Sequence, residues 1–193
     1  SNSAPALYEA DGRVHLPSWD DPVYADTLMS ICRDLDIGLI VPTSDQELPW
    51  LVPLADALRA NGVVVLLPSL SALNLCRDKL AFISFCREHG FSVPETYEYA
   101  TEPTVFPVFV RPRMGQGGLG AIRVDTSALL QAMRLQDRDL LVQEFINDVE
   151  YSIDLLMDIQ GVRALQAVAR RRLRVHGGEA QVSRIERLDE LTN

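Results

Sequence analysis

The sequence predicts an α/β fold in which a parallel strand–helix–strand unit precedes a second region built around a glycine-rich loop. Two apolar runs, Ile37 to Val41 and Val63 to Leu67, have the length of buried strands, and each ends at a proline. Between them, Glu47 to Ala60 has apolar residues at helical spacing and stops at Asn61-Gly62. Because the connections are short, we expect the two strands to pair in parallel.

Further elements follow the same patterns on both sides of this unit. Upstream, Tyr24 to Leu35 is a helix candidate, and a second region begins near Arg77. In that region the predicted helices are Lys79 to His89 and Ser127 to Leu135, and the predicted strands are Val105 to Val110, Ala121 to Val124 and Leu140 to Phe145. The second region therefore mixes helices with strands, as the α/β class requires.

A β-hairpin is predicted in the last third of the chain. Apolar and polar residues alternate from Glu150 to Ile159, so every second residue from Tyr151 to Met157 lies on one apolar face. A turn at Gln160-Gly161 leads to another run, Val162 to Ala169. The two runs are expected to pair as neighbouring strands.

The composition narrows the classes of function. The 193 residues carry a net charge of −9, which argues against a surface for nucleic acid. The three cysteines, Cys32, Cys76 and Cys86, form no CxxC pair and lie in apolar runs, which favours reduced thiols and a cytoplasmic location. No run approaches the roughly 18 apolar residues of a membrane span, and no signal peptide opens the sequence.

The glycine-rich segment Arg111 to Gly120 is the strongest chemical signal. Gly115, Gly117 and Gly120 satisfy GxGxxG, but a dinucleotide-binding loop opens a helix, whereas here a strand is predicted to follow. Glycines between two strands favour a flexible flap whose backbone N–H groups approach a triphosphate. The motifs HRD and DFG of protein kinases are absent. An ordinary hairpin turn is the alternative.

Three segments in order resemble the ATP-grasp superfamily, and especially its branch similar to the carbamoyl phosphate synthase large chain. Asp78-Lys79-x-x-Phe82 is similar to the family's DKxxF motif. Phe106 to Pro112 with the glycine loop is similar to PxxxKPxxGxGxxG, with arginine at the usual lysine, and Val142 to Asp154 is similar to QEfixGxEysvD. The resemblance covers about residues 36 to 175.

The resemblance implies an order of domains. Residues 1–76 would form a partial Rossmann-like domain that precedes ATP-grasp and is incomplete at its N-terminus. Residues 77–145 would form the N-terminal ATP-grasp lobe with the glycine flap, and residues 146–193 the start of a truncated C-terminal lobe. We expect the chain to be a truncated member of the family.

The same resemblance implies a nucleotide site. Lys79, the only lysine among 18 basic residues, and Arg111 would hold the phosphates under the flap. The other expected residues are Gly115, Gly117 and Gly118 in the flap, Gln143, Glu144, Phe145 and Ile146 at the adenine, and Glu150 at the ribose hydroxyls. The alternatives are a solvated Lys79, and strand ends at which Gln143 and Glu150 face solvent.

Two further pairs of residues each allow two interpretations. Arg170 or Arg172 would face the phosphates, unless this basic run is a solvated edge strand. Asp45 and Glu47 are candidates near a substrate. The alternative is that Asp45 caps the following helix and Glu47 favours its positive end.

The implied activity is that of an ATP-dependent carboxylate–amine or carboxylate–ammonia ligase acting through an acyl phosphate. Its cofactors would be ATP and Mg²⁺, its substrates small molecules, and a homodimer is an open alternative to a monomer. The family's Glu-x-Asn metal pair is not found, because Glu190 and Asn193 have the wrong spacing, so we expect the metal ligands beyond this chain and the fragment to be inactive. The resemblance identifies no catalytic residue, and a non-catalytic ATP-grasp module with a regulatory or assembly role is the alternative.

Overall fold

The structure is a computed structural model that describes residues 6–99, 101–115, 117–137, 139–158 and 161–187. The chain forms two compact units with the boundary after Leu73. This boundary lies close to the expected end of the first domain at residue 76, and the three family domains stay a prediction. In the part of the chain that is described, no helix has both the length and the apolar character needed to cross a bilayer.

The first unit contains short helices and one pair of strands. Its elements are α1 (Ala6–Glu9), α2 (Tyr24–Asp34), β1 (Leu39–Ile40), α3 (Leu48–Leu51), a 3-10 turn (Val52–Leu54), α4 (Ala55–Ala60) and β2 (Val64–Val65), and α5 (Leu70–Arg77) leads into the second unit. β1 and β2 pair in parallel, with Leu39 opposite Val64 and Ile40 opposite Val65. The predicted parallel unit is confirmed, with shorter strands.

Prolines divide the helix that was predicted between these strands. Pro49 lies in the first turn of α3 and Pro53 in the first turn of the 3-10 helix. Proline has no N–H and crowds the preceding turn, so one continuous helix from Glu47 to Ala60 cannot form. Glu47 is the N-cap of α3 without a side-chain hydrogen bond, so capping by Asp45 is wrong.

The core of the first unit is small and apolar. Six residues are buried in it: Tyr24, Leu28, Cys32, Leu51, Leu58 and Val63. Burial raises the pKa of the Cys32 thiol, because a thiolate would lose its hydration there. Cys32 therefore serves as a small apolar core residue, as its position in an apolar run indicates.

The described residues of the second unit form two helices and two antiparallel sheets. Its helices are α6 (Lys79–Glu88) and α7 (Ser127–Gln136), and its strands are β3 (Thr96–Tyr97), β4 (Val108–Pro112), β5 (Ile122–Val124), β6 (Leu140–Glu144), β7 (Tyr151–Met157), β8 (Ala164–His176) and β9 (Glu179–Glu186). The strand orders are β3-β6-β4-β5 and β7-β8-β9. The short strand β3 and the strand β9 were not predicted.

The glycine loop connects two strands of one sheet. β4 and β5 pair antiparallel, with Val108 opposite Val124 and Val110 opposite Ile122. The segment is therefore a strand–loop–strand unit, as predicted, and does not open a helix. Val108, Val110 and Val124 are fully buried in one core with Leu130 of α7 and Val142 of β6.

The predicted hairpin of β7 and β8 is confirmed, although Ile159 and Gln160 lie outside the described residues. Tyr151 lies opposite Arg171, and the register shifts between Leu156 and Met157. The apolar residues Ile153, Leu155 and Met157 are exposed. Alternation specifies the two faces of a strand, whereas burial also requires another element to cover one of them.

Two neighbouring leucines of α7 give a matched test of this core. Leu130 is 0% exposed and Leu129 is 45% exposed. Leu130→Ala should lower the free energy of unfolding of the second unit by about 2–4 kcal/mol, because it leaves a cavity, and Leu129→Ala by less than about 1 kcal/mol. Amide hydrogen exchange in β4 and β6 measures this, since both tryptophans, Trp19 and Trp50, report on the first unit. Equal losses in the two variants would contradict the assigned core.

Candidate functional site

A cavity of ≈480 Å³ lies in the second unit beneath the glycine loop. Its walls are formed by the start of α6, by β4, by the loop itself, by Glu150 just before β7, and by β8 with the turn that follows it. The lining residues are Lys79, Phe109, Arg111, Pro112, Gly115, Gly117, Gly118, Leu119, Ala121, Glu150, Arg172, Val175 and Gly178. The structure thus brings together six of the residues expected at a nucleotide: Lys79, Arg111, Gly115, Gly117, Gly118 and Glu150.

Lys79 lies at the first position of α6 and is bonded to the base of the glycine loop. Its ammonium group donates to the carbonyl oxygens of Gly115 at 2.7 Å and Arg113 at 3.3 Å. Burial lowers the pKa of Lys79, and the nearby charge of Arg111 lowers it further. Lys79 is therefore a half-buried group of the cavity wall, not a solvated side chain of a first helical turn.

An ion pair fixes the geometry around this lysine. The Asp78 carboxylate accepts from the N–H groups of Leu80 and Ala81, which caps α6. It also accepts from Arg113 Nε at 2.8 Å and Nη2 at 2.5 Å. The bidentate bond from Arg113 holds the pKa of Asp78 at about 2. The start of α6 and the start of the glycine loop are thus joined.

Arg111 presents an unsatisfied cation to the cavity. It follows Val108 and Val110 on β4, whose side chains enter the core, so by alternation its own side chain lies on the opposite face. Its Nε is buried and has no hydrogen-bond partner among the described residues. Burial lowers the pKa of the guanidinium, because the charged form has lost part of its hydration. An anion bonded to Arg111 would compensate this loss.

Glu150 and Arg172 form the opposite wall. Arg172 Nη1 donates to the Glu150 carboxylate, and the Arg172 N–H donates to the Glu150 carbonyl oxygen at 2.8 Å. Arg170 instead donates to Asp154, and to Ser183 Oγ at 3.1 Å. Of the two arginines left open by the sequence, Arg172 lines the cavity, and Arg170 belongs to an ion pair elsewhere on the sheet.

The residues expected at the adenine are not in the cavity lining. Gln143 is 2% exposed, and its Nε2 donates to Thr96 Oγ1 at 3.1 Å, so the alternative that it faces solvent is wrong. The N–H of Glu144 donates to the Glu95 carbonyl oxygen at 2.9 Å. A contact of residue 144 with adenine would therefore have to use its carbonyl oxygen.

The next two residues of this segment lie beyond the end of β6. The guanidinium of Arg123 lies 5.0 Å from the centre of the Phe145 ring, which is cation–π distance. Ile146 is exposed. Their expected role at the adenine stays a prediction, as does the role of Asp45 and Glu47, which lie in the first unit.

Several lining residues were not predicted. The cavity lining also contains Phe109, Leu119, Val175 and Gly178, and no sequence pattern marked any of them as a site residue. The dipeptide Gly177-Gly178 carried a usable signal, since two glycines between strand-like runs indicate a tight hairpin turn. The apolar residues gave no signal that distinguished them from core residues.

The cavity lining does not fit a magnesium ion. Mg²⁺ takes oxygen ligands in near-octahedral geometry, and the lining offers one carboxylate, Glu150, which is paired with Arg172. Within the described ranges, no three His, Cys, Asp or Glu residues gather in a way that could hold a metal ion. Glu190 and Asn193 lie outside the described residues. That the metal ligands lie beyond this chain stays a prediction.

Family models match both units of the chain. The model described as an ATP-grasp domain matches residues 76–185, and the model described as a PylC-like N-terminal domain matches residues 1–66. The order expected from the sequence, an α/β domain followed by ATP-grasp, is therefore confirmed. The boundary between the compact units, after Leu73, lies in the short segment between the two matched ranges.

The curated relatives include carbamoyl phosphate synthase large chains. The chain is 24% identical over 170 residues to the arginine-specific large chain of Bacillus subtilis, which is 81% of this chain and 16% of that protein. It is 26% identical over 158 residues to the large chain of Clostridium acetobutylicum, which is 74% of this chain and 14% of that protein. The chain thus spans only a small share of these relatives.

Solved structures share the fold. The L-amino acid ligase of Bacillus licheniformis has a TM-score of 0.62 at 20% identity, over 91% of this chain and 43% of that chain. The N5-carboxyaminoimidazole ribonucleotide synthetase of Thermus thermophilus has a TM-score of 0.62 at 18% identity, over 91% of this chain and 47% of that chain. A third structure is the biotin carboxylase domain of the Hydrogenobacter thermophilus 2-oxoglutarate carboxylase, solved as a dimer with MgADP, ADP and bicarbonate. It has a TM-score of 0.63 at 14% identity, over 93% of this chain and 44% of that chain. The chain covers less than half of each.

The ion pair of Asp78 with Arg113 can be tested separately from the helix cap, because asparagine caps a helix as well as aspartate does. Asp78→Asn should lower the stability of the second unit near neutral pH by about 1–2 kcal/mol. The folded-state pKa of Asp78 lies below its unfolded value, so this stability is present above the unfolded pKa and is lost as the pH falls from about 4 towards about 2.

Hydrogen exchange or acid titration of Asp78→Asn and of the unmodified chain measures the difference in stability between them. The matched control is Asp125→Asn, which removes an exposed ion pair with Arg123 and should cost less than about 0.5 kcal/mol. A difference between Asp78→Asn and the unmodified chain that stays constant down to about pH 2 would contradict the assigned ion pair.

Proposed function

We propose, from the premise that the chain belongs to the ATP-grasp domain family, that its second unit binds ATP in the cavity lined by Lys79, Arg111 and Glu150. The observation that carries this proposal is the buried Arg111 Nε without a partner among the described residues. It lies in one cavity with a second cation and with the glycine loop. Such a cavity favours a multiply charged anion.

The phosphate end of the nucleotide would lie between the cations and the loop. Arg111 would donate two parallel hydrogen bonds to phosphate oxygens, and Lys79 would add a point charge. Lys79 already bonds the carbonyl oxygens of Arg113 and Gly115, so it also holds the loop in place. Backbone N–H groups at Gly117 and Gly118 would approach the phosphates without interference from side chains.

The sugar would lie at Glu150. One carboxylate oxygen accepts from Arg172 Nη1, and a carboxylate has further acceptor positions for the two ribose hydroxyls. Arg172 would hold the Glu150 carboxylate in this orientation, and would itself lie within reach of the phosphates. The adenine would extend towards residues 144–146, where backbone groups would meet its edge.

The whole protein would be an ATP-dependent carboxylate–amine or carboxylate–ammonia ligase. ATP would transfer its terminal phosphoryl group to a carboxylate oxygen, and a nitrogen nucleophile would then displace phosphate from the acyl phosphate, which forms the C–N bond. The fixed charges of Lys79 and Arg111 would stabilise the developing negative charge on the phosphates. The family of this chain and its likeness to carbamoyl phosphate synthase large chains support this proposal.

Replacement of the unpartnered arginine tests the site. Arg111→Ala should weaken binding of the ATP analogue AMP-PNP by about 10- to 100-fold, because a buried charged hydrogen bond is lost. The control is Arg87→Ala, an exposed arginine in the last turn of α6 outside the cavity lining, which should change the affinity by less than about twofold. Isothermal titration calorimetry measures both, and equal affinities of the two variants would contradict the site.

Turnover is a separate prediction. We expect no phosphate release above background from the 193-residue chain with ATP, magnesium and a range of carboxylates and amines, because the described lining offers the metal a single carboxylate, Glu150, which is paired with Arg172. A version that includes more of the natural sequence after residue 193 is assayed beside it. Turnover by the shorter chain that Lys79→Ala abolishes would show that the metal site is misplaced. A longer version that binds nucleotide without turnover would favour a non-catalytic module.

A further inference from the structure

The glycine loop lies in direct backbone contact with the turn between β8 and β9. A methyl group added to Gly118 would lie 2.7 Å from the Cα of Gly178, and one added to Gly178 would lie 2.6 Å from the N atom of Gly118. Carbon atoms do not approach backbone atoms so closely. The contact therefore requires glycine on both sides, and any other residue at either position would push the two segments apart.

The adjacent glycines do not share this constraint. Gly177 has φ +58° with no atom within 4 Å of an added methyl group, and Gly117 has φ +64° with only the Gly177 carbonyl oxygen at 3.9 Å. Gly118 and Gly178 have similar positive φ values, +65° and +77°. Alanine thus causes comparable backbone strain at all four positions, but a collision only at Gly118 and Gly178.

Arg172 holds the turn from the cavity side. Its Nη2 donates to the Gly178 carbonyl oxygen at 2.5 Å, while its Nη1 binds Glu150. The side chain is only 14% exposed, so little freedom is left to it. The position of the turn is therefore fixed relative to Glu150, the expected ribose ligand.

We propose that Gly178 is a positioning residue for the glycine loop. The turn Gly177–Gly178, held by Arg172, is the surface against which Gly117 and Gly118 pack when the loop closes the cavity, and we call this turn the seat. The role of the cavity rests on the proposed ATP site, whereas the seat itself is a property of the fold. A seated loop separates the phosphate end of the cavity from solvent and retains what is bound there. Movement of Arg172 away from Gly178 releases the seat, so the wall at Glu150 and the position of the loop are coupled.

Limited proteolysis tests the seat without nucleotide. Thermolysin cuts before leucine, and Leu119, 79% exposed, follows Gly118 directly. Gly178→Ala should raise the rate of cleavage between Gly118 and Leu119 on the order of tenfold over the matched control Gly177→Ala, because it increases the population of the open loop. Cleavage before Leu135, 87% exposed on α7, is the internal control and should be equal in both variants.

A second variant acts without any added methyl group on the loop or the turn. Arg172→Lys keeps the charge but loses the fork that joins Glu150 to Gly178, so cleavage before Leu119 should also rise relative to the unmodified chain. Equal cleavage before Leu119 in Gly178→Ala and Gly177→Ala would overturn the proposal. A rise of the same size before Leu119 and Leu135 would also overturn it, since that indicates general loosening of the second unit.

Nucleotide kinetics then distinguish the seat from the site. If the cavity binds the fluorescent analogue mant-ATP, Gly178→Ala should increase its dissociation rate on the order of tenfold over Gly177→Ala, with little change in association. Binding with equal dissociation rates in the two variants would overturn the seat and leave the ATP site intact. Absence of binding by the unmodified chain would overturn the ATP site, and the proteolysis result would then decide on the seat alone.

Discussion

The alternation of side chains along β4 is the constraint on which the second unit depends. Val108 and Val110 are fully buried in the core beneath α7, and Phe109 and Arg111 line the cavity on the other face. A shift of the register by one residue would place Arg111 in the core and a valine in the cavity. The pairing of β4 with both β5 and β6 prevents this shift. One strand therefore positions the core and the cation of the site at the same time.

The electrostatics of the cavity are unfavourable in the absence of an anion. Burial lowers the pKa of both Lys79 and Arg111, which means that the protein destabilises their charged forms. Lys79 is compensated in part by two carbonyl oxygens and by Asp78, which lies beside it and is bonded to Arg113. Arg111 lacks such compensation at Nε among the described residues. Binding of phosphate groups would remove this cost, which relates the geometry of the fold to the proposed function.

Arg170 and Arg172, two arginines of β8, form ion pairs that stabilise different parts of the second unit. Arg170 bonds Asp154 and Ser183 across β7, β8 and β9, which stabilises the sheet. Arg172, two residues further along β8, bonds Glu150 at the cavity and Gly178 at the turn. Arg170 thus stabilises the sheet, and Arg172 stabilises the wall of the cavity.

The sequence by itself determined the local elements and the chemistry near them. The helix that begins after Asp78 and the strand–loop–strand unit around the glycines follow from short-range patterns, because a periodicity involves residues that are neighbours in the chain. The place of Arg111 beside the loop was implied instead by the family resemblance. Pro49 and Pro53 are also local signals, because each lacks an N–H group, and the continuous helix predicted across them does not form.

Only the tertiary structure decided which distant segments meet. The burial of Gln143 against Thr96, the choice of Arg172 over Arg170 and the contact of Gly118 with Gly178 join residues far apart in the chain. Such contacts depend on how the two sheets and the loop pack against one another, and no local periodicity carries that information. The sequence therefore selected cations and glycines that line the cavity, and the packing of the second unit decided their partners.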